Sequence, residues 1–443
     1  MRQRKIAIVG SGISGMSAAW HLHQHSDITV FEKADYIGGH SNTVDIEVEG
    51  KRLPVDTGFI VFNPVNYPNL TALFDLLDVP SAHTDMSFSV SMGGGDFEYS
   101  GGDNAGMLAQ RANIFRPRFW RMVSGILKFY GKAEDYENLP DDFTLGALLA
   151  EEGYSRSFIE DHLAPMGAAI WSSDSVDILE YPARSFIKFF RNHGLVQLKD
   201  RPQWRTVVGG SREYVKKLTQ GFSNKIHTKS LVSSVRRESA GCEVFFANGQ
   251  MREFDEVVFA CHSDQALALL SDPSQQETQC LSAMRYSQNQ AVLHTDKSWL
   301  PKREAAWASW NYIEPTSAYH GRRPAITYWM NRLQHLPVAT PVMVTLNPFK
   351  EIEESQILGR YDYEHPIFDA ASHEARSQLM SLQGTNRIWF CGAYLGDGFH
   401  EDGIQAGLAV AEMISQVERP WYRAKQNARI GLPDQIVLPM AAQ

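Results

Sequence analysis

Cysteine is scarce in this chain. Cys242, Cys261, Cys280 and Cys391 are the only 4 among 443 residues, with no CxxC pairing and no metal-ligand spacing. A disulfide scaffold and a structural zinc module are thereby excluded. The thiols read as small buried hydrophobes of a reducing compartment, and no metal is expected. Basic charge is also short, with 42 Lys and Arg against 51 Asp and Glu. The global electrostatics of a nucleic-acid binder are absent, so no nucleic-acid partner is expected. No uninterrupted apolar run approaches the roughly 20 residues that span a bilayer. The basic start MRQRKIAIVGSGISG breaks at a glycine turn too early for a signal peptide. These absences predict a cytoplasmic protein and leave peripheral contact with the inner membrane face open. Internal repeats and low-complexity tracts are missing too. What the chain has in quantity is aromatic side chains, 10 Trp, 16 Tyr and 23 Phe, on a length that predicts two or three domains.

The N-terminus carries the first motif. Lys5 to Val9 is an apolar run fit for a buried parallel strand, Gly10-Ser11-Gly12-Ile13-Ser14-Gly15 follows, and Met16 to His25 suits a helix. A second strand, Ile28 to Phe31, ends in Glu32 and Lys33. Gly10 permits the tight turn, Gly12 lets the backbone approach a pyrophosphate, and Gly15 allows close helix–strand packing. The helix N-terminus then offers free N–H groups and a positive dipole end to phosphates. Glu32 is placed to accept from ribose hydroxyls. This order predicts a dinucleotide site.

Downstream, Gly38-Gly39-His40 and Thr43 lie in the stretch EKADYIGGHSNT. This segment resembles the second glycine motif of the flavin-containing amine oxidase superfamily, which includes amine oxidases, protoporphyrinogen oxidases and phytoene desaturases. Relatives carry an arginine where this chain has His40, a weaker phosphate partner. Asp56-Thr57-Gly58 is similar to the family's D-x-G segment beside the flavin; an ordinary turn is the alternative reading. Near the C-terminus, Asn386 to Gly392 reads as a strand ending in glycine, followed by AYLGDGFHEDGIQAG. That run resembles the family's last motif, where a strand, a glycine loop and a helix N-terminus meet the flavin ring.

The resemblance implies an α/β fold: a Rossmann-like FAD-binding domain of the GR2 type, assembled from separated segments, with an inserted α+β substrate domain. The expected segments are 1–75, 206–275 and 384–420 for the cofactor, 76–205 and 276–383 for the substrate, and 421–443 as a tail. FAD is the implied cofactor. Its implied contacts are Gly10, Ser11, Gly12, Ile13, Ser14, Gly15, Glu32, Lys33, Gly38, Gly39, His40, Gly58, Val232, Gly392, Asp402, Gly403 and Ile404. His400 falls where amine oxidases hold an aromatic against the flavin, so it is the first catalytic candidate, with a loop-capping role as the alternative; Tyr394 is the second. Asp402 and Glu401 also suit a helix cap.

Several further readings come from pattern alone. Leu145, Leu148 and Leu149 mark one helix face capped by Thr144, and glycines at 93–95 and 101–102 mark turns in a β region from Ser87 to Tyr99. Cys261 and His262 read as loop residues after the strand from Glu256. Trp307, Trp310, Tyr312, Tyr328 and Trp329 are mostly sheet packing, with one or two facing a substrate cavity. The stretch from Arg111 to Lys132 holds Arg111, Arg116, Arg118, Arg121, Lys128 and Lys132 and no acid, among dense aromatics; Ser185 to Leu198 repeats that character. Such segments suit an anionic membrane surface, or else core helices whose basic stems snorkel, and Pro117 interrupts any single long helix.

The functional expectation is an FAD-dependent oxidoreductase that removes a hydride from a small hydrophobic substrate, a lipid acyl chain or isoprenoid, to form a double bond. An unidentified external acceptor reoxidises the flavin. The alternatives are an amine oxidase releasing imine and hydrogen peroxide, and a non-catalytic flavin-binding partner protein.

Overall fold

The computed structural model describes residues 3–101, 104–140, 142–171, 177–192, 194–197, 201–316, 318 and 323–432. Gly102, Leu198 and the last residues of the expected tail lie outside them.

Strand Lys5–Val9 is buried from its second residue onward, as a central parallel strand must be when both faces are covered. It pairs in parallel with Asp27–Phe31 on one side and Glu256–Phe259 on the other. Ile388–Phe390 and Ile226–His227 complete a five-stranded sheet in the order 388–390, 256–259, 5–9, 27–31, 226–227. Segments from both ends of the chain therefore build one sheet. Helix Ile13–Leu22 is buried along its whole length, and its partner is the helix His400–Ser415. The seam between them is made of small residues. A Cβ on Gly403 would come within 2.7 Å of Ile13 Cγ2 and 2.9 Å of Ser14 Oγ. A separate three-stranded sheet holds Val232–Arg237, Cys242–Phe246 and Met251–Phe254, its last two strands joined through Asn248 and Gly249.

A seven-stranded mixed sheet carries the other half, in the order 357–367, 285–294, 343–346, 325–329, 310–313, 88–92, 97–100. Helices Pro117–Lys132, Leu145–Glu151, Ala164–Trp171 and Ala183–Asn192 share an apolar core with strands Phe88–Met92 and Trp310–Ile313. The Thr144 hydroxyl accepts from Ala147 N, and Leu145, Leu148 and Leu149 are buried. Pro117 breaks the segment as expected: the turn Arg111–Phe115 ends before it, and the helix starts at Pro117, where its missing N–H costs nothing. Residues beyond the C-terminal helix fold back on the cofactor half: Trp421 stacks on Trp20 at 5.6 Å, and buried Arg419 makes a two-point pair with Glu412. Among the described residues no helix is long and apolar enough to cross a membrane.

Candidate active site

The glycine turn after the first strand is shaped by close approaches. Gly10 has φ +111°, and a Cβ there would meet the Ala260 carbonyl oxygen at 2.6 Å. A Cβ on Gly15 would fall inside contact of the Gly10 carbonyl. Gly12, by contrast, faces open space, with nothing within 4 Å of the same probe position. Gly39 backs onto Gly12, its added Cβ 3.1 Å from Gly12 Cα. Space in front of Gly12, ringed by glycine backbone and by the N-terminus of a buried helix, is the cradle a pyrophosphate requires.

The acid at the end of the second strand is already engaged. Glu32 accepts from Ser11 N at 3.0 Å, Ser11 Oγ at 2.6 Å and Ala34 N at 2.9 Å. It fastens the glycine turn, and one lone-pair direction is left for a ribose hydroxyl. Val232 follows the segment whose Ser230 N donates to the Glu32 carbonyl at 2.8 Å, so it is brought to the same corner. Lys33 is exposed.

His40 supplies the most direct test of the cofactor's fit. Its Nε2 is sealed from solvent and has no hydrogen-bond partner. The ring stacks on Tyr363 at 4.9 Å and tilts against His365 at 5.6 Å. Burial pushes its pKa down to about 3, with neighbouring histidines adding to the effect. An anion reaching that nitrogen would reverse the balance by favouring the charged ring. Gly58 permits this packing, since a Cβ there would collide with the His40 carbonyl. The orphaned nitrogen, the glycine cradle and Glu32 together fit FAD.

His400 opens the C-terminal helix. Its ring lies flat on Phe59 at 3.8 Å, and its Nε2 meets Tyr214 Oη at 2.6 Å and Ser41 Oγ at 3.3 Å. Burial holds the imidazole at about 3, so it is neutral. Ser41 in turn bonds Tyr214 at 2.5 Å. Sequence reasoning did not single out Phe59, Tyr214 and Ser41, which are scattered along the chain; Ser41, next to His40, and Phe59, directly after Gly58, lay in recognised motifs, and Tyr214 did not. Tyr394 sits elsewhere, under the glycine loop that begins at Gly392. Burial lifts its pKa, with smaller contributions from Tyr286, Cys391 and Cys261, and its hydroxyl lacks a partner. His400 and Tyr394 share no hydrogen bond or ring contact among the described residues.

Asp402 caps its own helix by accepting from Phe399 N at 2.7 Å. Glu401 does something different: it accepts from Asn69 N and Leu70 N, both at 3.1 Å, and so caps the helix Pro68–Leu76. Gly403 and Ile404 are buried in the seam with the first helix. Asp56, buried with its pKa raised to about 6 by desolvation, ties Thr43 Oγ1, Ser211 N and Gln334 Nε2 together. His262 stands at the N-cap position of the helix Ser263–Leu269 without a side-chain capping bond; its ring pairs with Glu364 at 2.9 Å and stacks on Tyr286 at 4.4 Å.

The strand Ile357–Ile367 was also missed. Tyr363 and His365 cover His40 from that strand, and Asn289 Nδ2 lies 3.2 Å from His365 Nδ1. The alternation of Tyr361, Tyr363 and His365 was the available signal. Of the aromatics singled out in the sheet, Tyr312 is core, and Trp307 packs edge-on against Trp329. Trp310 and Tyr328 form a cross-strand pair at 5.7 Å, partly open and turned toward the helical layer. Phe399, next to His400, packs on the same core and stacks on Phe189 at 5.0 Å.

A five-stranded parallel sheet with a glycine cradle at its first turn, closed by a C-terminal helix, defines a dinucleotide-dependent oxidoreductase fold. The chain belongs to the flavin-containing amine oxidoreductase family, which matches residues 13–415; it is an FAD-dependent oxidoreductase. Three solved structures show how widely the fold is shared. Cyclohexylamine oxidase from Brevibacterium oxydans is 15% identical, covers 94% of this chain and 99% of its own, and has a TM-score of 0.67. Putrescine oxidase bound to putrescine is 15% identical, covers 94% and 99%, and scores 0.65. A fatty acid isomerase from P. acnes that produces CLA is 14% identical, covers 93% and 98%, and scores 0.64.

Proposed function

We propose that this enzyme oxidises a hydrophobic substrate, a lipid acyl chain or an isoprenoid, introducing a carbon–carbon double bond. The observation that carries the reading is the aromatic packing beside the C-terminal helix. Phe399 and Phe189 stack beside His400, and the Trp310–Tyr328 pair faces the same helical layer. Where the resemblance implies an aromatic that holds an amine, this chain has a neutral histidine laid flat on Phe59. FAD, when bound, supplies the two-electron acceptor. The chain's own contribution is to seat it through Gly10 to Gly15, Gly39 and His40, and to exclude water with aromatic surface. His400, kept neutral by burial and bonded through Nε2 to Tyr214, is assigned a hydrogen-bonding role beside the reacting carbons; its lowered pKa makes it a poor proton store, so the proton released with the hydride passes on to solvent. That a fatty acid isomerase shares this fold supports an acyl substrate.

The test is to incubate FAD-loaded protein with extracted lipids and an artificial electron acceptor, then weigh the products. Loss of two hydrogens from an acyl or isoprenoid chain is expected, and the His400→Ala variant should reduce flavin more slowly while retaining it. An amine oxidase is the second reading, favoured by family membership and by the amine-oxidising neighbours. Hydrogen peroxide stoichiometric with an added polyamine would establish it against the lipid reading. A flavin that no acceptor reoxidises after photoreduction would instead indicate the non-catalytic partner.

A further inference from the structure

We infer that the short helical turn Arg111–Phe115 and the outer face of the helix Pro117–Lys132 form a docking surface for an anionic lipid bilayer. Sequence alone left two basic, aromatic segments equivalent, and the structure separates them. In the helix Ala183–Asn192, Phe186, Ile187, Phe189 and Phe190 are all buried, so that segment is core. In Arg111–Lys132 the aromatics divide. Phe119, Met122, Ile126 and Phe129 point inward, whereas Phe115 is 87% exposed, Leu127 53%, Trp120 50% and Ile114 41%.

The exposed set forms one surface. At about 100° per residue, Pro117, Trp120, Ser124 and Leu127 share a helix face, with Arg121 and Lys128 alongside. The indole of Trp120 donates to the Ile114 carbonyl at 2.8 Å, which locks the turn and helix together. Rigid, solvent-facing Trp and Phe beside basic residues is the composition of an interfacial membrane contact.

The charges decide which surface would accept it. Arg118 is neutralised by Glu160 and Asp161, Lys128 by Glu152, and Arg116 donates to the Asp96 carbonyl and Asn113. Arg111 and Arg121 are exposed, and their side chains have no protein partner among the described residues. The uncompensated charge on this face is thus positive in a chain whose net charge is −9. Exposed apolar groups framed by free guanidinium groups complement anionic headgroups over an acyl interior. This surface does not depend on what the enzyme oxidises.

The experiment is flotation of the FAD-loaded full chain with phosphatidylglycerol–phosphatidylcholine vesicles and with phosphatidylcholine alone, at low and high salt. Capture by the anionic vesicles only, weakening with salt, is expected. Arg111→Gln with Arg121→Gln should lower partitioning roughly tenfold or more. Phe115→Ser with Trp120→Ser should lower it comparably, with flavin absorbance retained in both. No capture at low salt, equal capture by neutral vesicles, or unchanged capture of the folded Phe115→Ser/Trp120→Ser protein would overturn the inference. So would sedimentation showing a dimer that the Phe115→Ser/Trp120→Ser pair splits while vesicles capture neither form, because the face would then be a contact between copies.

Discussion

Replacing Gly407 with alanine tests the packing that aims the cofactor cradle. Gly407 lies in the C-terminal helix, and an added Cβ would sit under 3.0 Å from the Ser14 carbonyl oxygen and Ser17 Oγ of the first helix. Ordinary contact begins near ~3.4 Å, so the two helices would have to part by about an ångström or slightly more. Two effects then compete. Alanine in a helix interior gains about 1 kcal/mol over glycine, while overpacking a tight core costs about 1–3 kcal/mol, and more when backbone must move. Backbone is what the new methyl meets, so a net loss of about 2 kcal/mol is expected. Gly131 provides the control: it lies in the helix Pro117–Lys132 with nothing within 4 Å of its Cβ position. There the same substitution should stabilise by about 0.5–1 kcal/mol. Thermal melts and urea midpoints of the FAD-loaded proteins give the comparison, with flavin fluorescence reporting release. Gly407→Ala should melt a few degrees lower and release FAD more readily. An unchanged or raised midpoint in Gly407→Ala, beside a stabilised Gly131→Ala, would refute the tight seam.

Removing the orphaned nitrogen with His40→Ala should weaken FAD binding about tenfold, measured by equilibrium dialysis of the apoprotein; unchanged affinity would detach His40 from the cofactor. Glu401→Ala leaves the N–H groups of Asn69 and Leu70 uncapped inside the protein and should cost about 3 kcal/mol in urea unfolding; a loss within error of zero would count against the buried cap. Acid should destabilise the fold early. Burial lowers His40, His162 and His400 to about 3 and His294 and His365 to about 4, so below about pH 6.5 the unfolded chain binds protons that the folded one refuses. Stability conferred by these neutral rings is complete above about pH 6.5 and is lost as pH falls toward their folded values. Asp56, raised to about 6, and Asp402, also raised, work in the opposite direction over part of that window. The net slope should reach up to about 4 kcal/mol per pH unit, and urea midpoints that stay flat from neutral to mildly acidic pH would disprove it.

The cofactor half was legible because its signals are local. A strand, a glycine turn and a helix follow one another at Lys5 to Leu22, and Gly10 and Gly15 answer close contacts with Ala260 and with the turn itself, while Gly12 leaves the space open. The Thr144 cap was readable for the same reason. What surrounds His400 was not: Phe59, Tyr214 and Ser41 are brought together only when the sheet of separated segments closes. Glu401 points to a helix from another part of the chain, which no neighbouring residue announces. Composition also failed to tell the helix Ala183–Asn192 from the helix Pro117–Lys132, because which face is covered depends on partners distant in sequence. His40 was legible as a departure from the family pattern, but that its ring nitrogen is sealed and without a partner was not.

The substrate class is the central claim, and anaerobic mixing tests it most directly. FAD-loaded protein is mixed without oxygen with acyl lipid or isoprenoid dispersed in detergent, and separately with putrescine, while the flavin absorbance is followed. The hydrophobic substrate should bleach the flavin and the amine should leave it oxidised. Bleaching by the amine alone would contradict the account.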